Sequence, residues 1–117
     1  MKLVKLSANY NGYGRYSHRI EFPGAVAGRQ QFVMIRNWLW EKFGPSAELE
    51  NLTAAWRCWG AWRYWDPDSS SGEPRIEGFP LWSWDSNKRV ICLNGKALTL
   101  YILSEDSLVN AHSDLFG

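Results

Sequence analysis

The chain begins with two segments in which apolar and polar residues alternate. Alternation over residues 2–10 and again over residues 15–22 predicts two strands, because successive side chains of a strand point to opposite faces. Asn11 and Gly12 lie between the two segments. An Asn-Gly pair favours the two positive-φ positions of a type I′ turn. The pattern therefore predicts a β-hairpin.

The period then lengthens to that of a helix between Ala25 and Phe43. Apolar residues recur three or four positions apart, and the following Gly-Pro pair is a typical helix end. Trp38 and Trp40 lie about 200° apart on this helix, so both cannot face one core, and we expect Trp40 to be partly exposed. The residues predicted to face the core are Phe32, Ile35, Leu39 and Phe43, and those left for solvent are Arg29, Arg36 and Lys42.

The next segment is unusually rich in tryptophan. Four of the eight tryptophans lie between Trp56 and Trp65, at every third position. Aromatic density favours a strand over Thr53–Trp65. A helix is the alternative, because a spacing of three drifts only slowly around a helical surface.

A strand over this segment would divide its side chains between two faces. One face would carry Trp56, Cys58, Trp62 and Tyr64 toward the core. The other face would combine indoles with guanidinium groups, a composition typical of recognition surfaces. The predicted partner-binding residues on that second face are Arg57, Trp59, Arg63 and Trp65.

The remaining sequence predicts a polar surface loop and then more strands. The loop covers residues 66–78 and contains two prolines and two glycines. Apolar runs at Phe79–Asp85, Lys88–Leu93 and Lys96–Leu103 predict a three-stranded meander, with an Asn-Gly turn before the third run. Ser104 followed by two acidic residues predicts the start of a short C-terminal helix.

These elements define one α+β domain over residues 1–117. We expect an antiparallel sheet of about five to six strands, the hairpin first, with one long helix and the short C-terminal helix packed on one face.

The net charge of +1 gives no general attraction to nucleic acid or to an anionic membrane. Cys58 and Cys92 lie in apolar runs and are expected to be buried free thiols. Without a signal peptide or a long apolar run, a cytoplasmic protein is predicted.

Residues that could support catalysis or bind a metal are few. His18 and His112 are the only histidines, and neither lies near a nucleophile motif or at zinc-ligand spacing. The sequence therefore predicts no cofactor and no zinc site, and a small enzyme is the third and least favoured hypothesis for its function. The polar loop weakly resembles a calcium-binding loop, in which the glycine comes one position late. The oxygen ligands of such a site would be Asp66, Asp68, Ser70 and Glu77.

A non-enzymatic protein-binding module is the function that this composition favours. Trp82 and Trp84 lie two apart on one strand face and, with Trp40, extend the predicted binding residues. The partner would be another protein or a second copy. One form of this hypothesis is an inhibitor or accessory protein of a phage or mobile element that acts on a host protein in the host cytoplasm.

Binding of single-stranded nucleic acid is the alternative. Bases would stack on Tyr13, Trp59 and Trp65, whereas phosphates would meet four arginines. The near-neutral net charge argues against it, since phosphate contacts supply most of the affinity for nucleic acid. The four arginines are Arg15, Arg19, Arg57 and Arg63.

Overall fold

The structure is a computed structural model, which describes residues 1–10, 12–59, 62–64, 75–77 and 80–116. For Trp56, Cys58, Trp59 and the residues in the ranges 62–64, 75–77 and 109–116, it describes the backbone alone. The elements in chain order are β1 (Lys2–Lys5), β2 (His18–Glu21), α1 (Val26–Phe43), α2 (Leu49–Trp59), β3 (Trp62–Tyr64), β4 (Arg75–Glu77), β5 (Trp82–Asp85), β6 (Val90–Leu93) and α3 (Gly95–Phe116).

An antiparallel sheet of four strands, in the order β1-β2-β6-β5, forms the centre of this α+β fold. Ile20 of β2 lies opposite Leu3 of β1 on one side and Ile91 of β6 on the other. The strands β3 and β4 form a separate two-stranded sheet. The predicted pairing of the first two strands, and of the strands that became β5 and β6, is confirmed.

Helix α1 agrees with its prediction to within one residue at its start. Gly44 ends it with a φ of 84°, and its N–H donates to the Trp40 carbonyl oxygen at 2.9 Å. Near the other end the helix packs so closely on Pro23 that a Cβ built on Gly28 would lie 1.8 Å from the Pro23 carbonyl oxygen. The first turn of α1 therefore requires glycine at this position.

Helices cover both faces of the sheet. On one face, α1 and α3 bury Ile35 and Tyr101 against the sheet residues Ile91 and Trp82. On the other face, Cys92 packs with residues that precede β2 and with α2, namely Leu6, Tyr16 and Leu49. The two predicted helices, α1 and α3, therefore share one face as expected. The other face is covered by α2, a segment predicted as a strand, because the sheet has an apolar surface on both sides.

The chain passes from one face to the other around the edge strand β5. The Ser46 hydroxyl donates to the Trp82 carbonyl oxygen at 2.6 Å, and the Ser83 hydroxyl donates to the Ala47 carbonyl oxygen at 2.8 Å. Glu48 then forms a parallel bridge with Trp84. The segment between α1 and α2 thus covers a strand edge that would otherwise expose unpaired backbone groups.

The connection between β1 and β2 is longer than the predicted two-residue turn. The strands span four residues each, and Leu6 and Tyr16 of the connection pack with Cys92 on one face of the sheet. Asn11, the first residue of the predicted turn, lies outside the described residues. Gly12 has a φ of 92°, and a Cβ built there would lie 3.3 Å from the Cys92 sulfur. Leu6 and Tyr16 belong to this connection and are buried, which explains why the alternating pattern extended beyond the strands.

The strand predicted over Thr53–Trp65 is replaced by the helix α2 as far as Trp59, and of the residues described after it in this segment, 62–64 form the strand β3. The buried residues Leu49, Leu52 and Ala55 recur every third position, which is one face of a helix. The helical backbone continues through the aromatic residues as far as Trp59. Helical periodicity that begins before the aromatic run therefore overrides its strand propensity.

Two further predictions are corrected near the end of the chain. Lys96–Leu103 is not a third meander strand, because a continuous helix runs from Gly95 and buries Ala97, Tyr101 and Leu108. Within the predicted loop 66–78, residues 75–77 form β4, and the remaining positions lie outside the described residues. The predicted burial of Cys92 as a free thiol is confirmed.

Candidate interaction surface

Three tryptophans meet where α1 crosses β5. Trp82 is fully buried, and its ring centroid lies 5.2 Å from that of Trp84. Trp40 of α1 packs against both, with centroid distances of 6.4 Å to Trp82 and 6.5 Å to Trp84. Trp40 nevertheless remains 48% exposed, which confirms the expectation from the helical angle between Trp38 and Trp40.

Trp40 is the last member of an exposed apolar row along α1. Val26 is 73% exposed and Val33 is 37% exposed, and the three residues lie seven positions apart. A spacing of seven keeps side chains on nearly the same side of a helix. We call Val26, Val33 and Trp40 the α1 stripe. It lies outside the buried row of Phe32, Ile35 and Leu39.

Two arginines follow one flank of the α1 stripe. Arg29 and Arg36 each come three positions after a stripe residue, and three positions correspond to adjacent places on a helix surface. Arg29 is exposed, whereas the Arg36 guanidinium carbon lies 5.6 Å from the ring centroid of Trp84 and 5.7 Å from that of Phe32. Among the described residues neither arginine forms an ion pair. The flank therefore carries two positive charges that no side chain in the described part of the chain neutralises by an ion pair.

The residues predicted to bind a partner are distributed over several places. Trp82 lies in the core and supports the surface from beneath, whereas Trp84 is half-buried beside Arg36. Arg57 is exposed on α2, on the other face of the sheet. Trp59 ends α2 and Arg63 lies in β3, each described by its backbone alone, and Trp65 lies outside the described residues.

The prediction from sequence missed the two valines of the stripe and gave its arginines no role beyond solvent exposure. The spacing of Val26, Val33 and Trp40 is visible in the sequence. This spacing of seven positions is common in helices. Only the exposure of the three side chains shows that they form a surface row and do not make a second contact with the core.

A groove of about 920 Å³ lies on the opposite face of the sheet. Its walls are α2, the residues around Tyr13, and the turn between β5 and β6. Tyr13 is 59% exposed at this groove. The charged residues that line it are Arg15, Arg57, Lys88, Glu48, Glu50 and Asp85.

Two of the three acidic side chains in the groove accept hydrogen bonds from the adjacent turn. Glu48 accepts from the Ser86 backbone N–H at 3.1 Å and from the Ser86 hydroxyl. Asp85 accepts from the backbone N–H groups of Asn87 at 3.1 Å and Lys88 at 3.2 Å. These carboxylates therefore hold the shape of the turn, and the hydrogen bonds partly offset their charge.

Arg19 is not part of the groove. Its side chain is 12% exposed and forms an ion pair with Glu21. Its guanidinium carbon lies 4.1 Å from the ring centroid of Tyr10. Of the arginines predicted to contact phosphates, the structure brings Arg15 and Arg57 together and keeps Arg19 in a local pair.

The other candidate groups with described side chains are His18 and Cys92. His18 is half-buried, with its Nδ1 2.9 Å from the Ser17 hydroxyl. Burial raises the pKa of the Cys92 thiol to about 11, so it is protonated at neutral pH.

No group of three or more His, Cys, Asp or Glu in the described part of the chain is placed to hold a metal ion. Of the predicted calcium ligands, Asp66, Asp68 and Ser70 lie outside that part and Glu77 is described by its backbone alone.

Comparison of the chain with protein-family models, with curated proteins and with solved structures gave no match. None of the helices, as far as the structure describes them, is long and apolar enough to cross a membrane. The function must therefore be inferred from the two surfaces, the α1 stripe and the groove.

Proposed function

We propose that the protein is a non-enzymatic protein-binding module and that the α1 stripe is its contact surface. The observation that carries this proposal is the exposure of Val26, Val33 and Trp40 in one row of a helix whose other side already lies in the core. Core packing therefore does not require apolar residues in this row. An exposed apolar row beside charged residues is typical of a surface that another protein covers.

Trp40 is suited to be the main contact of this surface. Tryptophan is among the residues most enriched at positions that dominate binding energy. Contacts with Trp82 and Trp84 restrict the Trp40 indole before any partner arrives. Binding then loses less side-chain entropy than it would with a freely rotating residue.

The proposal is tested by comparing capture by the wild-type protein and by Trp40→Ala. Tyr13→Ala is the matched control, because it removes an exposed aromatic side chain on the other face of the sheet. Proteins retained from lysate are identified by mass spectrometry, and one that binds is purified for calorimetry. We expect Trp40→Ala to weaken binding about 30-fold, the scale of a residue that dominates an interface, and Tyr13→Ala to leave it unchanged. Equal binding by wild type and Trp40→Ala would contradict the proposal.

The groove supports single-stranded nucleic acid binding as a second candidate function. Tyr13, Arg15, Arg57 and Lys88 line one cavity, which supplies a ring for base stacking beside positive charges for phosphate. Against it, the same groove contains three acidic residues and the net charge is only +1. The α1 stripe is therefore the first candidate.

A labelled oligonucleotide distinguishes this second function from the first. Fluorescence anisotropy at low salt would show binding that added salt reverses and that Arg57→Ala weakens. Arg29→Ala is the control, because it removes an exposed arginine on the opposite face. If the oligonucleotide fails to bind at low salt, the second function is wrong. Origin from a phage or mobile element is a separate hypothesis, which the neighbouring genes would test.

A further inference from the structure

The α1 stripe has the length and spacing of a surface that accepts another helix. Its first and last residues, Val26 and Trp40, are separated by about 21 Å along the helix axis at 1.5 Å per residue. A second helix that crosses at a small angle meets its neighbour at residues that recur every seven positions. The geometry therefore favours a helical segment of about four turns as the occupant.

The two flanks of the stripe differ in charge. One flank carries Arg29 and Arg36, whereas the corresponding positions on the other flank, four after each valine, are the uncharged Gln30 and Asn37. Of the other charged residues of α1, Glu41 comes four positions after Asn37 and continues that flank, whereas Lys42 lies farther around the helix. A partner helix therefore faces positive charge along one side of its apolar row, and two amides and one carboxylate along the other.

Arg36 is held in a position where it could bind a carboxylate. Its guanidinium lies beside Trp84 and Phe32, and no described residue pairs with its charge. Stacking against an aromatic ring leaves the N–H groups at the guanidinium edge available as donors. An acidic side chain on the partner could use two of these N–H groups at once.

We propose that the α1 stripe binds an amphipathic helix whose apolar row is bordered by acidic residues. This inference rests on the proposed function and names the chemistry of its partner. The apolar row would cover Val26, Val33 and Trp40, and the acidic border would lie against Arg29 and Arg36.

A second copy of this chain fits the stripe less well than an acidic helix. In an antiparallel pair centred on Val33, equivalent flanks face each other, so Arg29 of one copy would lie near Arg36 of the other. That arrangement places like charges together. In a parallel pair the arginines would face the flank of Gln30, Asn37 and Glu41, which supplies one opposite charge for two arginines.

Two synthetic peptides test the inference with the full-length protein. Both are labelled 18-residue helical peptides with leucine at the heptad contact positions, and they differ only in carrying glutamate or lysine on the flanks. We expect the glutamate peptide to bind at least about 10-fold more tightly in an anisotropy titration, with the difference shrinking as salt is added. The charge-reversal variant Arg29→Glu/Arg36→Glu should prefer the lysine peptide instead. Lys88→Glu, which reverses a charge in the groove, should retain the wild-type preference.

Each other outcome overturns the inference. Equal binding of the two peptides, or no binding of either, excludes an acidic helix as the partner. A dimer that sedimentation detects and Trp40→Ala abolishes would assign the stripe to a second copy. These results do not test the proposed function. The proposed function is contradicted only if Trp40→Ala binds the captured partner as tightly as the wild type does.

Discussion

Trp40 packs edge-on against Trp82, with their ring centroids 6.4 Å apart and their ring planes at 75°. One indole is partly exposed and the other is fully buried, so the pair links the proposed contact surface to the core. Substitutions at the two positions should therefore have separable effects on stability and on binding.

Trp82→Ala should greatly lower the free energy of unfolding, whereas Trp40→Ala should lower it slightly. Removal of a buried tryptophan leaves a cavity and costs about 3–5 kcal/mol. Loss of an aromatic pair at a partly exposed site costs about 1 kcal/mol. Urea unfolding followed by circular dichroism measures both changes. A Trp40→Ala variant as unstable as Trp82→Ala would show that Trp40 is a core residue and not a binding residue.

Gly28→Ala should destabilise the fold, although alanine is ordinarily the better helix former. The new Cβ would lie 1.8 Å from the Pro23 carbonyl oxygen, so α1 or the preceding turn must move. We expect a loss of about 1–3 kcal/mol, the usual effect of overpacking. Gly24→Ala is the matched control, since a Cβ there meets no atom within 4 Å. Thermal melts in which Gly28→Ala is as stable as wild type would contradict this packing.

The free energy of unfolding should fall as the pH rises from about 9 to about 11. Burial raises the pKa of the Cys92 thiol from 9.0 to about 11, so the unfolded chain releases this proton at lower pH than the folded protein does. The stabilisation is complete below pH 9 and is lost as the pH passes the folded-state pKa. Cys92→Ala should reduce the slope of stability against pH in this window, whatever its effect at neutral pH. An unchanged slope would show that Cys92 does not cause the loss.

Truncation of Trp40 or of Tyr13 to alanine should separate the two candidate surfaces, because these exposed aromatic side chains lie on opposite faces of the sheet. Trp40→Ala should weaken binding of a protein partner without affecting the groove, and Tyr13→Ala should do the reverse for any ligand of the groove. Parallel titrations of both variants with both ligands measure this. Loss of both activities in one variant would indicate a single continuous site or a folding defect, which circular dichroism identifies.

Features encoded by neighbouring residues were predictable from the sequence. The bounds of α1 follow from its regular apolar spacing and from the Gly44-Pro45 stop. The pairing of β5 with β6 follows from two apolar runs joined by a short turn. The partial exposure of Trp40 follows from its helical angle to Trp38.

Features that depend on contacts between distant segments were not predictable in the same way. Asn94-Gly95 is a common hairpin pair, yet Gly95 begins α3 with a φ of 50°. Strand propensity at Trp56 and Trp59 gave way to a helix that begins at Leu49 and buries its apolar side on the far face of the sheet. The α1 stripe was missed because exposure of Val26 and Val33 depends on what else packs against α1.

The most direct test of the central claim is the dissociation constant of a captured protein partner for wild type and for Trp40→Ala, measured by calorimetry on folded protein. If the α1 stripe is the contact surface, the dissociation constant should increase about 30-fold for Trp40→Ala and should not change for Tyr13→Ala. An unchanged dissociation constant for Trp40→Ala would show that the protein does not bind its partner through this surface.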